Sequence, residues 1–262
     1  MRIITLTTDF GTHDWFVGTM KGVIAGIASK APVIDLTHEV PAGDIRAGAF
    51  ALAASYRYFP KRTVHIAVVD PGVGSARKPI AVQTAHYFFV GPDNGVLSLA
   101  LRTEKIKTIR ALENKDYFLQ PVSQTFHGRD IFAPVAAHLS RGLAIQRVGK
   151  AQTDFARLDW PEPRLRRARI EGEVIYIDRF GNGITNLNRE ILSSCAATSC
   201  EVHGRRRWTC PLRRFYQAVP VKMPVAVLGS SGFLEIAVNS GSAEKLLGLR
   251  LGTRVIARAR PT

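Results

Sequence analysis

The sequence is poor in the residues that build disulfide frameworks and membrane spans. It has three cysteines in 262 residues, an odd number with no CxxC pair, which is typical of a reducing compartment such as the cytoplasm. No apolar run approaches the roughly 18 to 20 residues that a membrane helix needs. Residues 1–10 lack the pattern of a signal peptide. We therefore expect a cytoplasmic protein without membrane contact.

Acidic residues are also scarce relative to basic ones. The chain has 36 Lys and Arg against 21 Asp and Glu, a net charge of +15. The excess lies late in the chain, because residues 1–60 carry five charges of each sign whereas residues 201–262 carry eleven basic and three acidic side chains. Basic clusters on short segments are typical of a solvated surface, so we do not expect nucleic acid as a partner.

Strand-like and helix-like segments alternate in the first half of the chain. Residues 2–8, 32–37 and 63–69 are apolar runs typical of buried strands. Between them, residues 15–28 have helical spacing, and Asp44 is placed to cap a helix that runs to about residue 56. Another helix is predicted over residues 129–140. This alternation predicts an N-terminal α/β domain with a mainly parallel sheet.

The pattern changes after the Pro-rich break at residues 160–163, where four arginines follow within six residues: Arg164, Arg166, Arg167 and Arg169. Beyond this break, alternating runs such as residues 170–177 and 254–259 are separated by glycines, which predicts a smaller C-terminal β-barrel. The predicted organisation is an N-terminal domain over residues 1–160, a linker over 161–169 and a barrel domain over 170–262.

Polar residues follow three successive predicted strands, at Asp9, at residues 37–39 and at Asp70. Helix capping is the simpler explanation for each one alone, but three together favour a pocket at the carboxyl edge of the sheet. The loop over residues 70–77 has no Gly-Lys-Ser/Thr ending and leads into a strand, so it is not a phosphate-binding loop. It does bring an acid, Asp70, near a base, Arg77, either as an ion pair or as part of a site.

The remaining motifs leave more than one interpretation open. His127 precedes the predicted helix at residue 129, where a single histidine is more often structural than catalytic. The segment around Phe180 and Asn182 is either a hairpin turn or an aromatic face with an amide, as a purine ring needs. No HxH, HxxxH, HExxH or GxSxG spacing is present, so neither a metal site nor a serine nucleophile is expected.

Taken together, the motifs resemble the S-adenosyl-L-methionine hydroxide adenosyltransferases, which are relatives of the fluorinase and chlorinase enzymes. The resemblance covers essentially the whole chain in order. Six motifs carry it: TDFG at 8–11, DPGVG at 70–74, GPDNG at 91–95, TFHGRD at 125–130, DRFGN at 178–182 and SSG at 230–232. The family's fold, an α/β domain followed by a β-barrel, agrees with the pattern found above.

The resemblance implies hydrolysis of S-adenosyl-L-methionine (SAM) to adenosine and methionine by a homotrimer that holds the substrate between neighbouring subunits. A SAM-binding protein without turnover and a SAM-dependent halogenase are the alternatives. The halogenases have Tyr at the position of Asp70 and a small hydroxyl residue at that of Gly128, which disfavours the second. The implied catalytic residues are Asp70, Arg77 and His127. The implied binding residues are Asp9 for the ribose, Phe180, Asn182 and Phe215 for the adenine, Asp178 and Ser230 for the methionine, and Asp14 near the methionine end.

One departure concerns the adenine pocket, where Ile184 replaces an aromatic residue of the fluorinase. The chemistry implied by the resemblance needs no metal or redox cofactor, because a sulfonium is already an activated leaving group. Attack by water needs a base and alignment with the ribose 5′ carbon. Arg77 stays cationic and can stabilise the nucleophile, and either His127 or Asp70 accepts the proton.

Overall fold

The computed structural model describes residues 1–166 and 169–259. The chain divides into two compact units, the first from Met1 to Leu158 and the second beginning at Asp159. The predicted linker, residues 161–169, contains a short strand at Arg164–Arg166. Arg167 lies outside the described residues, as does Arg260, one of the eleven basic residues of 201–262. The domain boundaries predicted from the sequence stay a prediction.

The first unit alternates strands and helices, as the sequence predicts. Its strands and α-helices are β1 (Ile4–Thr8), α1 (Phe16–Ile27), β2 (Val33–Thr37), α2 (Ile45–Ser55), β3 (Val64–Val68), β4 (Pro79–Thr84), β5 (Phe88–Pro92), α3 (Ser98–Leu101), β6 (Ile106–Ala111), α4 (Ala133–Ser140) and β7 (Ala151–Gln152). Short 3-10 turns occur at Tyr56–Tyr58, Lys115–Tyr117 and Ile145–Val148. The α/β fold class is confirmed.

Within the described residues of this unit, seven strands form one sheet in the order β2-β1-β3-β5-β4-β6-β7. Strands β2, β1, β3 and β5 are parallel, whereas β4, β6 and β7 are added antiparallel. Every residue of β1 and β3 is buried, which is why β1 contains only Ile, Leu and Thr and β3 is apolar apart from His65. Thr8 at the end of β1 lies beside Val68 at the end of β3, so the segments that follow these strands leave the sheet at one edge.

Helices α1 and α4 pack together and share a core with the sheet, in which Met20, Ile24, Val135 and Leu139 are fully buried. Helix α2 begins as predicted, because the Asp44 carboxylate accepts a hydrogen bond from the backbone N–H of Ala47 over 2.9 Å.

The helix predicted over residues 129–140 is not continuous. Residues Gly128–Phe132 form one π-helical turn, and α4 begins only at Ala133. Pro134 has no N–H to donate to the carbonyl of Asp130, and that carbonyl accepts instead from the backbone N–H of Leu119 over 2.9 Å. The π-helical turn directly follows His127.

The second unit is built almost entirely of strands. Its elements are β8 (Arg164–Arg166), β9 (Arg169–Ile177), β10 (Gly183–Asn188), α5 (Arg189–Ser193), β11 (Ala197–His203), β12 (Arg207–Arg213), a 3-10 turn (Tyr216–Ala218), β13 (Pro224–Leu228), β14 (Phe233–Val238), α6 (Ala243–Leu247) and β15 (Arg254–Ala259).

The described strands of this unit pair in the order β10-β14-β13-β12-β11-β15-β9, and β9 pairs again with β10. A seven-stranded sheet is thereby closed into a barrel, which confirms the predicted C-terminal β-barrel, while β8 adds to the side of β9. Cys200 and Cys210 are cross-strand neighbours in its core and are free thiols. Burial raises the pKa of Cys210 to about 12, so this thiol stays protonated at neutral pH.

Candidate active site

A cavity of about 340 Å³ opens at the carboxyl edge of the first unit's sheet. This is a volume typical of small-molecule sites. Two of the three predicted strand-end groups, Asp9 and Asp70, line it, whereas the turn at residues 37–39 does not. The residues that line it are Asp9, Phe10, Phe16, Gly43, Val68, Asp70, Pro71, Val73, Thr125, Phe126, His127 and Gly128.

His38, in the turn at residues 37–39, points into the protein. Its Nδ1 lies 2.8 Å from the hydroxyl oxygen of Thr8, and its Nε2 lies 3.1 Å from a carboxylate oxygen of Asp35. The same carboxylate accepts from Lys21 over 2.6 Å. This buried histidine therefore ties β2 to the end of β1, directly before Asp9, and supports the cavity edge from outside.

Asp70, Arg77 and His127 form one hydrogen-bonded network at the cavity. Arg77 Nε donates to Asp70 Oδ1 over 3.0 Å, and Arg77 Nη2 donates to Asp70 Oδ2. The same Nη2 lies 2.7 Å from His127 Nδ1. The Asp70 and Arg77 side chains are 4% and 9% exposed, so the pair is shielded from water. Asp70 and His127 line the cavity, and Arg77 contacts both of them without lining it.

One group of the network has no hydrogen-bond partner among the described residues. Arg77 Nη1 is buried and makes no hydrogen bond. A guanidinium donates only, so the Nδ1 of His127 must accept, which leaves the proton of the neutral ring on Nε2. Burial lowers the pKa of His127, and the charge of Arg77 lowers it further against the opposing effect of Asp70 and Asp130.

The loop between Asp70 and Arg77 brings these two side chains together. Its first turn is closed by a hydrogen bond from Val73 N to the Asp70 carbonyl, 3.1 Å long. Gly74 has a φ of +77°, and a Cβ there would lie 2.5 Å from the carbonyl oxygen of Gln124. Only glycine fits this close approach, which packs the loop against the segment that carries His127.

The Asp9 carboxylate is held beside the cavity by the backbone N–H of Gly43, which donates to Oδ2 over 2.8 Å. Three aromatic rings form a wall next to it, with Phe16 and Phe126 edge to face at 5.1 Å and Phe10 at 5.8 Å from each of them. Sequence reasoning did not identify this wall, although Phe10 and Phe126 lie inside two of the quoted motifs. Asp14 is exposed in the turn before α1 and is not among the lining residues.

The other predicted binding residues lie in the barrel unit. Asp178 closes the turn between β9 and β10, where its Oδ1 accepts from the backbone N–H groups of Phe180 and Asn182 over 2.9 Å each. Its Oδ2 accepts from the Asn182 side-chain amide, also over 2.9 Å. The Phe180 and Phe215 rings are 74% and 58% exposed, which is unusual for phenylalanine. Ser230 lies exposed in the β13–β14 turn.

Within residues 1–166 and 169–259, no three His, Cys, Asp or Glu side chains are grouped so that they could hold a metal ion. The expectation of a reaction without a metal stays a prediction. None of the helices in that part of the chain is long and apolar enough to cross a membrane.

The chain belongs to the SAM hydroxide adenosyltransferase family, because the family's N-terminal domain model matches residues 4–149 and its C-terminal domain model matches residues 172–256. Among its relatives is an (R)-S-adenosyl-L-methionine hydrolase from Thermus thermophilus, 41% identical over 97% of this chain and 99% of that protein. A fluorinase from Nocardia brasiliensis is a more distant relative, 24% identical over 97% of this chain and 95% of that protein.

A solved structure has the same fold. The crystal structure of an uncharacterized conserved protein from Thermotoga maritima has a TM-score of 0.93 and 36% sequence identity, and the match covers 98% of this chain and all of that one. The family resemblance inferred from the six motifs is therefore confirmed.

Proposed function

We propose that the protein is an enzyme that hydrolyses (R)-S-adenosyl-L-methionine to adenosine and L-methionine. The observation that carries this proposal is the Asp70–Arg77–His127 network beside a cavity of small-molecule size. Family membership and a relative named as a hydrolase of this compound at 41% identity support it.

In the proposed reaction, a water oxygen attacks the ribose 5′ carbon opposite the sulfur. The new C–O bond forms as the C–S bond breaks, and the C–S electron pair stays on sulfur as a neutral thioether. Positive charge thus moves from the sulfonium to the attacking oxygen. A carboxylate beside that oxygen stabilises the transition state more than the ground state, which is what catalysis requires. The bonds and electrons of this reaction balance without a metal or redox step.

We assign the proton-accepting role to Asp70, a choice that the sequence left open between Asp70 and His127. The Nδ1 of His127 is occupied by Arg77 and its Nε2 carries the proton, so the neutral ring donates rather than accepts. His127 therefore holds the water through Nε2–H, and Asp70 takes the proton and passes it to solvent. Arg77 fixes the orientation of both.

The remaining binding roles follow the family motifs. Asp9, held by Gly43, accepts from the ribose hydroxyls. The exposed rings of Phe180 and Phe215, with the Asn182 amide, bind the adenine, while Asp178, Ser230 and Asp14 serve the methionine end.

We further propose that the enzyme is a homotrimer that works in the cytoplasm. The large exposure of Phe180 and Phe215 supports a site completed by contact with a second surface. Light scattering after size-exclusion chromatography tests the assembly. Three times the monomer mass is expected, and a monomeric mass across the working concentration range would exclude it. The free thiols Cys195, Cys200 and Cys210 support a reducing compartment.

Incubating the purified protein with SAM and separating the products tests the activity. Adenosine and methionine should appear in equal amounts, and each turnover in H₂¹⁸O should place one ¹⁸O atom in the adenosine 5′ hydroxyl. Folded protein that binds SAM but releases neither product over a range of pH would contradict the proposal.

A further inference from the structure

Glu235 on β14 is a carboxylic acid buried in the barrel unit with little to neutralise it. The residue is 7% exposed. Among the described residues, the hydrogen-bond donor found for this carboxyl is the Tyr216 hydroxyl, which donates to Oε2 over 2.6 Å. Buried carboxylates are usually paired with a cation or accept several hydrogen bonds. The other oxygen, Oε1, is therefore available to a ligand.

The Glu235 carboxyl lies directly against the turn that carries Ser230. A Cβ at Gly229 would lie 1.8 Å from Glu235 Oε1, so only the bare backbone of a glycine leaves room for this carboxyl. The turn itself is closed by a hydrogen bond from Gly232 N to the Gly229 carbonyl, 3.1 Å long. In the same turn, the Ser231 hydroxyl is buried and has no hydrogen-bond partner among the described residues.

Asp178 has little capacity left for a ligand. A carboxylate offers about four acceptor positions, and three on Asp178 are occupied by its own turn, two from backbone N–H groups and one from Asn182. A primary ammonium group carries three N–H donors. Asp178 alone can therefore satisfy about one of them.

Asp178 and Glu235 are close enough to influence one another. Glu235 of β14 pairs with Ile184 of β10, and β10 directly follows the turn that carries Asp178. Burial raises the pKa of Glu235, the Tyr216 hydrogen bond opposes this, and the charge of Asp178 raises it further. A cation bound between the two carboxyl groups would offset both the free-energy cost of burying the Glu235 charge and the repulsion between Glu235 and Asp178.

We propose that Glu235 is a further substrate-binding residue, which joins Asp178 in accepting hydrogen bonds from the ammonium group of the methionine moiety. This assignment rests on the proposed SAM hydrolysis. A site formed by Asp178 and Glu235 is selective for a substrate whose methionine moiety carries a positively charged ammonium group. In this assignment, Tyr216 orients the Glu235 carboxyl.

The test compares steady-state kinetics of the wild-type protein and Glu235→Gln on two substrates, SAM and its analogue that lacks the amino group. Glu235→Gln keeps the shape and an acceptor for Tyr216 but removes the charge. We expect KM for SAM to rise roughly 10- to 100-fold, the range for loss of a charged hydrogen bond. The kcat should stay nearly unchanged, because the contact is equal in ground and transition states. For the analogue, KM should not change.

Two controls separate a binding role from a structural one. Glu113→Gln removes an exposed carboxylate whose nearest cation, Lys150, is 3.7 Å away, and should leave both KM values unchanged. Glu235→Asp keeps the charge and should retain part of the preference for SAM over the analogue. This variant also tests the assignment if Glu235→Gln does not fold.

Equal losses for both substrates, or an unchanged KM for SAM in Glu235→Gln, would overturn the assignment while the hydrolase activity stands. Absence of turnover in the wild-type protein would refute the proposed function, and the Glu235 assignment with it.

Discussion

The Nη2 of Arg77 lies 2.7 Å from the Nδ1 of His127, and because Arg77 can only donate, this contact fixes which ring nitrogen carries the proton. The same Nη2 also donates to Asp70, so one guanidinium orients both cavity-lining side chains. In the proposed mechanism, the histidine is thereby a donor and the carboxylate the base. The two groups then respond differently to substitution and to pH.

Replacing Asp70 by Asn should abolish most of the activity. The amide keeps the shape but cannot take the proton or stabilise the charge on the attacking oxygen, so we expect kcat to fall by about 10²- to 10⁴-fold. Single-turnover assays under SAM saturation measure the chemical step. Asp116→Asn, at an exposed carboxylate of the same unit, is the matched control and should retain wild-type rates. A loss below about tenfold in Asp70→Asn would not fit a base.

His127 should set the acid limit of activity at a pH below the ordinary histidine value. Burial and Arg77 lower the pKa of His127 from 6.5, so the neutral ring persists as pH falls through 6.5 and is lost only at lower pH. Protonation of Nδ1 would break the Arg77 contact, and kcat should then fall. A pH–rate profile of the wild-type protein beside His127→Gln, which lacks this titration, checks the assignment. An acid limb at or above pH 6.5 that disappears in His127→Gln would contradict the lowered pKa.

The Asp70–Arg77 loop offers a matched pair of glycine variants. Gly74→Ala must displace the loop, because its Cβ would collide with the Gln124 carbonyl and its φ is +77°. Gly72→Ala meets its nearest neighbour, Ser75 Oγ, at 3.4 Å and has no positive φ. We expect kcat to drop by about 10²-fold in Gly74→Ala, as misplacement of reacting groups does, and to change little in Gly72→Ala. Equal activities of the two variants, with melting temperatures recorded in parallel, would refute a positioning role for the loop.

The fold was largely predictable because burial leaves a clear pattern in the sequence. The fully buried β1 and β3 contain only apolar residues, threonine and one histidine, and Asp44 is a cap placed directly before the helical spacing of α2. The prediction of a continuous helix over residues 129–140 was wrong in its first turn, which is π-helical. The spacing of apolar residues does not show that Pro134 has no N–H to donate to the Asp130 carbonyl. Nor does it show that this carbonyl accepts a hydrogen bond from the backbone N–H of Leu119.

The candidate site was predictable only in part. Strand ends that share an edge indicated Asp9 and Asp70, and the separation of seven residues between Asp70 and Arg77 indicated Arg77. His127 lies 50 residues from Arg77, and its contact depends on packing between two loops. Its position before a predicted helix left its role open, and only the family motif indicated a catalytic one. The Tyr216–Glu235 pair was missed because the hydrogen bond joins a 3-10 turn to a strand 19 residues away. The catalytic and binding roles of all these residues stay predictions until variants are assayed.

Stability should depend on pH through His65, a buried histidine of β3 that does not line the cavity. Its ring is fully buried, stacks on Phe89 at 5.3 Å, and has Nδ1 2.8 Å from the Thr5 hydroxyl. Burial lowers the pKa of His65 to about 3. The unfolded chain, with an ordinary value near 6.5, binds a proton that the folded protein does not between these two values. This contribution to stability is therefore complete above pH 6.5 and declines as pH falls toward 3.

The effect is about 1.4 kcal/mol of unfolding free energy per pH unit below 6.5, or about 2 kcal/mol at pH 5. His65→Phe retains the aromatic stacking with Phe89 and removes the titration. Urea unfolding at pH 7 and pH 5 should therefore show a larger loss on acidification in the wild-type protein than in the variant. The lost Thr5 contact lowers the stability of His65→Phe at both pH values equally and does not affect this difference. An equal loss on acidification in His65→Phe and in the wild-type protein would mean that His65 binds its proton in the folded state as well.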